Sequence, residues 1–293
     1  MTIKPTASSG VQPMMKTIFA TLLVLSASLA SATDAIVHRD LAYTESPHER
    51  QQLDIYQPAA GNNHPVMIWI HGGGWRIGDK RSVQEKPKAF VEQGFVFVSI
   101  NYRFVPDVSM REIAQDVAQA IAWTHAQAEQ YGGDPDQLFV GGHSAGAHLS
   151  ALVCTDQQYL AAKSLSLANI KGCIPVDTAV YDAAKQIRDR GRFRSRNYTA
   201  AFGNELASQK EYSPINHVEK DKGIPPFLIL HVASRKDSSA QSQAFARALR
   251  EAAVTAKVVA GHGKDHASIN RELGLPGDEP TKAVFEFLKE LIK

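Results

Sequence analysis

Leu138-Phe139-Val140-Gly141-Gly142-His143-Ser144-Ala145-Gly146 is the stretch on which the fold turns. Its first three residues read as a strand buried on both faces. The segment from Ser144 to about residue 155 reads as a helix. Between them, Gly142-His143-Ser144-Ala145-Gly146 has the form G-x-S-x-G. That form sets a serine on a sharp strand-to-helix turn, with glycines beside it because a side chain there would collide with strand or helix. The helix N-terminus behind the serine favours the negative charge that develops in acyl transfer. A glycine-rich turn that merely opens a helix is the plainer reading. The strand before and the helix after are the context that favours Ser144 as a nucleophile.

Working outward, the apolar runs 66–70, 95–100, 170–176, 227–232 and 257–259 read as further strands. Helical patterns over 85–93, 109–131, 240–252 and 281–293 alternate with them. Such alternation predicts an α/β domain, with a mostly parallel sheet and helices on both faces. Two short alternating segments, 36–43 and 51–56, predict an antiparallel pair at one edge. Residues 178–222 break the rhythm, being polar and rich in arginine, and read as a cap-like excursion over the carboxyl edge of the sheet. The arginine run over 188–196 reads as a solvated loop. Phe193, Tyr198 and Phe202 could line an acyl or alcohol pocket there.

His71-Gly72-Gly73-Gly74-Trp75 follows an earlier strand. Successive glycines free backbone N–H groups to face a ligand, as an oxyanion hole requires, and the N–H of Ala145 is the expected partner. Trp75 and His143 are candidates for touching substrate. A general base should follow the nucleophile in the chain, and His266, just after the last strand, is preferred over His262. For the orienting acid, Asp237 in the loop after strand 227–232 is preferred, although an aspartate there would also cap the next helix. Asp177, at the end of the preceding strand, is the alternative. Asp265 is disfavoured because adjacent side chains seldom converge on one imidazole.

Together these pieces resemble the esterase/lipase group of α/β-hydrolases, including hormone-sensitive-lipase-like and formamidase-like carboxylesterases. The matching residues are His71–Trp75, Asn101-Tyr102-Arg103, Gly142–Gly146, Phe202-Gly203, Ser213-Pro214, 226–231 and His266. The resemblance implies an α/β-hydrolase fold over residues 33–293, hydrolysis of a small-molecule carboxylic ester without cofactor or metal, and Gly73 and Gly74 as oxyanion donors. An amidase or formamidase on the same residues, or a binding protein on the fold, is the competing expectation. The sequence departs from the group at the acid: the H-G-x-x-D pattern reads His231-Val232-Ala233-Ser234-Arg235, with the aspartate displaced to Asp237.

The 293 residues suffice for a continuous core without staples. Thirty-two Lys and Arg against 30 Asp and Glu leave no global pull toward nucleic acid or anionic membranes. Lys16, the apolar stretch 18–25 and Ala30-Ser31-Ala32 read as a signal peptide over residues 1–32, cleaved after Ala32, and so predict export to a periplasm or medium. The apolar stretch is short for a permanent anchor. Cys154 and Cys173, both among apolar neighbours, read as buried thiols, with a disulfide as the alternative in an oxidising compartment.

Overall fold

Val66, Ile68 and Ile70 face one side of strand β3 (His64–Ile70), Met67 and Trp69 the other, and all five are buried. A strand covered on both faces needs layers on both sides of its sheet. The computed structural model describes residues 1–5, 35–46, 48–191 and 195–292; the apolar stretch of the leader and its cleavage site fall outside them. Residues from Ala35 onward lie within one compact unit.

An eight-stranded sheet runs in the order β1 (Ile36–Ala42), β2 (Gln52–Gln57), β4 (Val96–Ile100), β3, β5 (Gly133–His143), β6 (Ile170–Val176), β7 (Phe227–Val232) and β8 (Ala256–Gly261). The first two strands form the expected antiparallel edge, and every pairing from β4 through β8 is parallel. On one face, helices α2 (Met110–Gln127), α3 (Ala145–Val153) and α8 (Lys236–Glu251) bury Ile113, Val117, Leu149, Phe245 and Leu249. On the other, α1 (Lys86–Glu92) and α9 (Glu279–Leu291) bury Phe90, Val284, Phe287 and Leu288. Helix α2 starts where the sequence marks it. Ser109 accepts from the Glu112 N–H while the Glu112 carboxylate accepts from the Ser109 N–H, a reciprocal capping box.

Two local differences from the sequence reading have simple causes. Strand β5 opens at Gly133, ahead of the apolar run at Leu138 that marks it in the sequence, because Gly132 takes the left-handed turn that ends the preceding helical segment and the chain then pairs with His64. The excursion over 178–222 carries helices of its own, and the arginine run read as a loop starts within one of them: after α4 (Gln157–Ala161) and β6 come α5 (Ala183–Arg190), α6 (Arg196–Phe202), α7 (Leu206–Glu211) and a 3-10 turn over Pro214–His217. Arg190 pairs with Asp237 and Phe202 is fully buried, so this segment packs on the domain. Phe193 lies outside the described residues. Among the described residues no helix is long and apolar enough to cross a membrane. Cys154 and Cys173 are free and buried.

Candidate active site

Strand β5 ends at His143, and Ser144 stands at the turn into α3 with φ 58° and ψ −113°. A non-glycine residue held there is under backbone strain. The neighbouring strands enforce it: the Ser144 N–H donates to the Val176 carbonyl at 2.9 Å, tying the turn to the end of β6. The helix can approach the sheet this closely only because residue 146 is glycine, where a Cβ would lie 2.0 Å from the Ile70 carbonyl oxygen.

The glycine loop lies directly against this turn. A Cβ on Gly72 would come within 3.2 Å of Ser144 Cβ, and Gly74 and Ala145 line the same cavity as Ser144. Gly73, at φ 124°, closes a tight turn by accepting from the Ile77 N–H at 3.1 Å; any Cβ there would strike the Ile77 carbonyl. Behind the loop, His71 stacks on Tyr102 with ring centroids 4.4 Å apart, and Tyr102 Oη donates to the His71 carbonyl. Burial lowers the His71 pKa to about 4, so its ring is neutral at physiological pH. Arg50 donates to His71 Nε2 at 3.1 Å, which leaves the proton on Nδ1, donated to the Gly72 carbonyl at 2.7 Å. Arg50 also binds Asn101 Oδ1 and the Tyr102 carbonyl, and Arg103 grips the buried Asp116 through two nitrogens. Tyr102 and, through Arg50, Asn101 thus brace the glycine loop, while Arg103 ties the same segment to α2.

His266, on the loop after β8, brings Nε2 to 2.9 Å from Ser144 Oγ. Its Nδ1 lies 2.6 Å from Oδ2 of Asp177, which sits immediately after β6. Asp177 is fully buried and also accepts from the Val232 N–H at 3.0 Å, from Ser238 Oγ at 2.6 Å and from Arg235 Nη1. Burial pushes its pKa up, but the hydrogen bonds from His266 and Ser238 and the charge of Arg235 outweigh that. Its carboxyl is held well below the usual carboxylate range.

Asp237, the preferred acid from sequence, is not brought to His266. It lies in the first turn of α8, accepts from the Ser238 N–H at 2.8 Å and pairs with Arg190 at 2.5 Å and Gln186 at 3.2 Å. The reason is local: helix α8 begins at Lys236, so residue 237 is already committed to the helix end. His262 is exposed and lines a different groove. Asp265 turns back to cap its own loop at the Ala267 and Ser268 N–H groups.

Trp75 is 3% exposed and walls the cavity, with its ring edge-on to Phe202 and Tyr198. His143 is buried too. Its Nε2 donates to the His266 carbonyl at 2.7 Å, and its ring lies 4.5 Å from the His266 ring, so it buttresses the histidine loop. Burial and the adjacent His266 lower its pKa to about 3, so the ring is neutral, and the bond to the His266 carbonyl places its single proton on Nε2. Sequence reasoning missed this role and that of Arg235, which binds both Asp177 and His266. Among the described residues, no three His, Cys, Asp or Glu side chains gather as a metal site would require.

The family described as BD-FAE matches residues 53–249, a span that includes the glycine loop, Ser144 and Asp177. The chain belongs to this family, within the esterase/lipase α/β-hydrolases. Among curated proteins it is 33% identical over 261 residues to Esterase LipQ of Mycobacterium tuberculosis, covering 80% of this chain and 58% of that protein. It is 28% identical over 248 residues to a probable isoprenylcysteine alpha-carbonyl methylesterase of Arabidopsis thaliana, again covering 80% of this chain and 58% of the relative. The chain thus spans little more than half the length of these relatives. Among solved structures, a truncated carbohydrate esterase from gut microbiota superposes with a TM-score of 0.73 at 22% identity, over 89% of this chain and 98% of that one. Esterase 2 of Thermogutta terrifontis, phosphonylated by sarin, gives 0.70 at 23% identity, over 88% and 95%. At these identities the structural likeness is one of fold.

Proposed function

We propose that the protein is a serine carboxylic-ester hydrolase of small-molecule esters. In this reading Ser144 is the nucleophile, His266 the general base and Asp177, replacing the Asp237 expected from sequence, the orienting acid. The observation that carries the reading is the connected series from Ser144 Oγ to His266 Nε2 at 2.9 Å and from His266 Nδ1 to Asp177 Oδ2 at 2.6 Å. The names of the curated relatives, an esterase and a methylesterase, support the same reaction class.

In the reaction, Ser144 Oγ attacks the ester carbonyl as His266 Nε2 takes its proton. The backbone N–H groups of Gly73, Gly74 and Ala145 stabilise the oxyanion; one such donor is typically worth about 3 kcal/mol. The imidazolium then protonates the departing alcohol. Water, activated by the same histidine, releases the acid from the acyl-enzyme. Asp177 holds the Nδ1–H tautomer and offsets the charge that His266 acquires.

We also propose export, on the basis of the leader pattern over residues 16–32, with Thr33 as the first residue of the mature protein. Hydrolysis of short and long p-nitrophenyl esters by wild type and Ser144→Ala tests the chemistry: turnover that vanishes in the variant is the expected result, and full activity in Ser144→Ala would end the assignment. The N-terminal mass of protein recovered outside the cytoplasm tests the cleavage site.

A further inference from the structure

We infer that the cavity beside Ser144 receives the anionic group of an acidic ester, a substrate carrying a carboxylate near its scissile bond, through Arg235 and Arg190. The inference rests on the reading of Ser144 as nucleophile and adds a substrate class to it.

The cavity is about 180 Å³, and Arg190, Asn197, Tyr198 and Arg235 share its wall with Ser144 and His266. Two guanidinium groups at one small site of reaction are unusual for a pocket meant only for apolar chains, since such pockets are mostly apolar with few polar groups. Each arginine is already paired with a carboxylate, Asp177 in the cavity wall and Asp237 outside it, so what each offers an incoming anion is its remaining N–H donors. Asp177 is fully buried, accepts from Val232, Arg235 and Ser238, and lies 2.6 Å from His266 Nδ1. Asp237 pairs with Arg190 from outside the cavity lining. The side chains of Arg235 and Arg190 keep 25% and 39% of their surface exposed. A guanidinium carries five N–H donors in a fork that matches a carboxylate, so one partner does not exhaust it. Arg190 is further positioned over the Tyr198 ring, 5.7 Å from its centroid.

The placement of Arg235 gives this charge a mechanistic consequence. Its Nη1 lies 2.6 Å from His266 Nδ1 and also binds Asp177 Oδ2. Arginine can only donate, so Nδ1 must accept to take that bond; to bind Asp177 Oδ2 the same nitrogen must donate. The two bonds therefore require opposite tautomers. When Arg235 holds Nδ1, the imidazole proton resides on Nε2, facing Ser144 Oγ at 2.9 Å, and the ring cannot accept the serine proton. When Arg235 turns to an anion in the cavity, Nδ1–H is left to Asp177 and Nε2 is free to act as base. An acidic ester is thus bound and, by the same contact, shifts the ring toward the competent tautomer; a neutral ester is turned over only by the fraction of enzyme in which Arg235 has already left Nδ1.

Steady-state kinetics on matched pairs test this. Monomethyl glutarate against dimethyl glutarate carries the charge on the acyl side, and O-acetyl-lactate against its methyl ester carries it on the alcohol side. Wild type is expected to favour the anionic member of at least one pair by about tenfold or more in kcat/KM, and the pair that responds identifies the side. That ratio should fall toward unity in Arg235→Gln and in Arg190→Gln, and shrink with added salt. Because each ratio compares two substrates on one protein, a general loss from disturbing His266 cancels, and Arg190→Gln provides the test if Arg235→Gln folds poorly. Neutral esters hydrolysed as fast as anionic ones in both pairs, or an anionic preference untouched by either substitution, would overturn the inference while leaving Ser144 chemistry standing. No turnover of any ester by wild type would instead remove the underlying reading, and the inference with it.

Discussion

His266 Nδ1 meets Asp177 Oδ2 at 2.6 Å, across the gap between β6 and the loop after β8, while Asp237 lies in the first turn of α8 and pairs with Arg190. Strand pairing explains the choice. Val176 lies beside His143 in the β5–β6 register, and the Asp177 N–H donates to the Leu230 carbonyl of β7. Asp177 therefore stands between the serine turn and the β7 loop, where a carboxylate can reach the imidazole.

Asp177→Asn is expected to lower kcat by about 10⁴-fold with the fold intact, because an amide no longer fixes the Nδ1–H tautomer or offsets the imidazolium. Asp237→Asn, in contrast, should keep neutral-ester turnover within about tenfold of wild type, since its carboxylate bonds to Arg190 and not to the histidine. Side-by-side rates on one p-nitrophenyl ester decide the matter. A severe loss in Asp237→Asn with a mild one in Asp177→Asn would restore the original sequence expectation.

The serine turn stores strain that a second substitution can release. With φ at 58°, residue 144 occupies backbone space that glycine enters freely and serine does not. Ser144→Gly should therefore be inactive yet more stable than Ser144→Ala by about 1 kcal/mol, read as a higher urea midpoint at unchanged slope. Equal midpoints for the two variants would show that the turn costs nothing.

Much of the site was legible because its demands are local. The G-x-S-x-G turn needs glycine where α3 touches Ile70, and the glycine loop needs it where the chain folds back on Ile77, so both are written in adjacent residues. His266 could be placed by its position after the last strand. The acid was harder. Asp177 and Asp237 both follow parallel strands, and only the point at which α8 begins separates them. Arg235, standing where the family pattern has its aspartate, was the available signal that the carboxylate beside His266 comes from elsewhere in the chain. The helices of the excursion escaped notice because their buried faces are short; α6 buries only Ala201 and Phe202.

His143 should affect rate more than binding. Its Nε2–H holds the His266 carbonyl at 2.7 Å, and a base displaced by about 1 Å can lose on the order of 100-fold in rate. His143→Phe keeps the bulk and removes the donor, so kcat is expected to fall by about 10- to 100-fold with KM little changed. His143→Gln, which can donate again, should recover part of it. A raised KM with unaltered kcat would instead assign His143 to substrate contact.

Lys86 makes stability depend on pH in a direction opposite to that of most surface lysines. Its Nζ is buried and bonds to neutral acceptors: the Asn270 carbonyl at 2.7 Å, Gln84 Oε1 at 3.3 Å and the Val83 carbonyl at 3.4 Å. Burial alone lowers its pKa from 10.5 to about 7. Between those values the unfolded chain binds a proton that the folded one has released, so stability rises with pH across the window. Below about pH 7 both states are protonated and the penalty for burying the charge is present in full. The slope for one such proton cannot exceed about 1.4 kcal/mol per pH unit. Urea unfolding of wild type and Lys86→Met at pH values of about 7 and about 9 should therefore show wild type gaining on the variant by on the order of 1–2 kcal/mol. A difference that stays constant would mean that Lys86 keeps its proton throughout, with the Asn270 carbonyl bond outweighing burial.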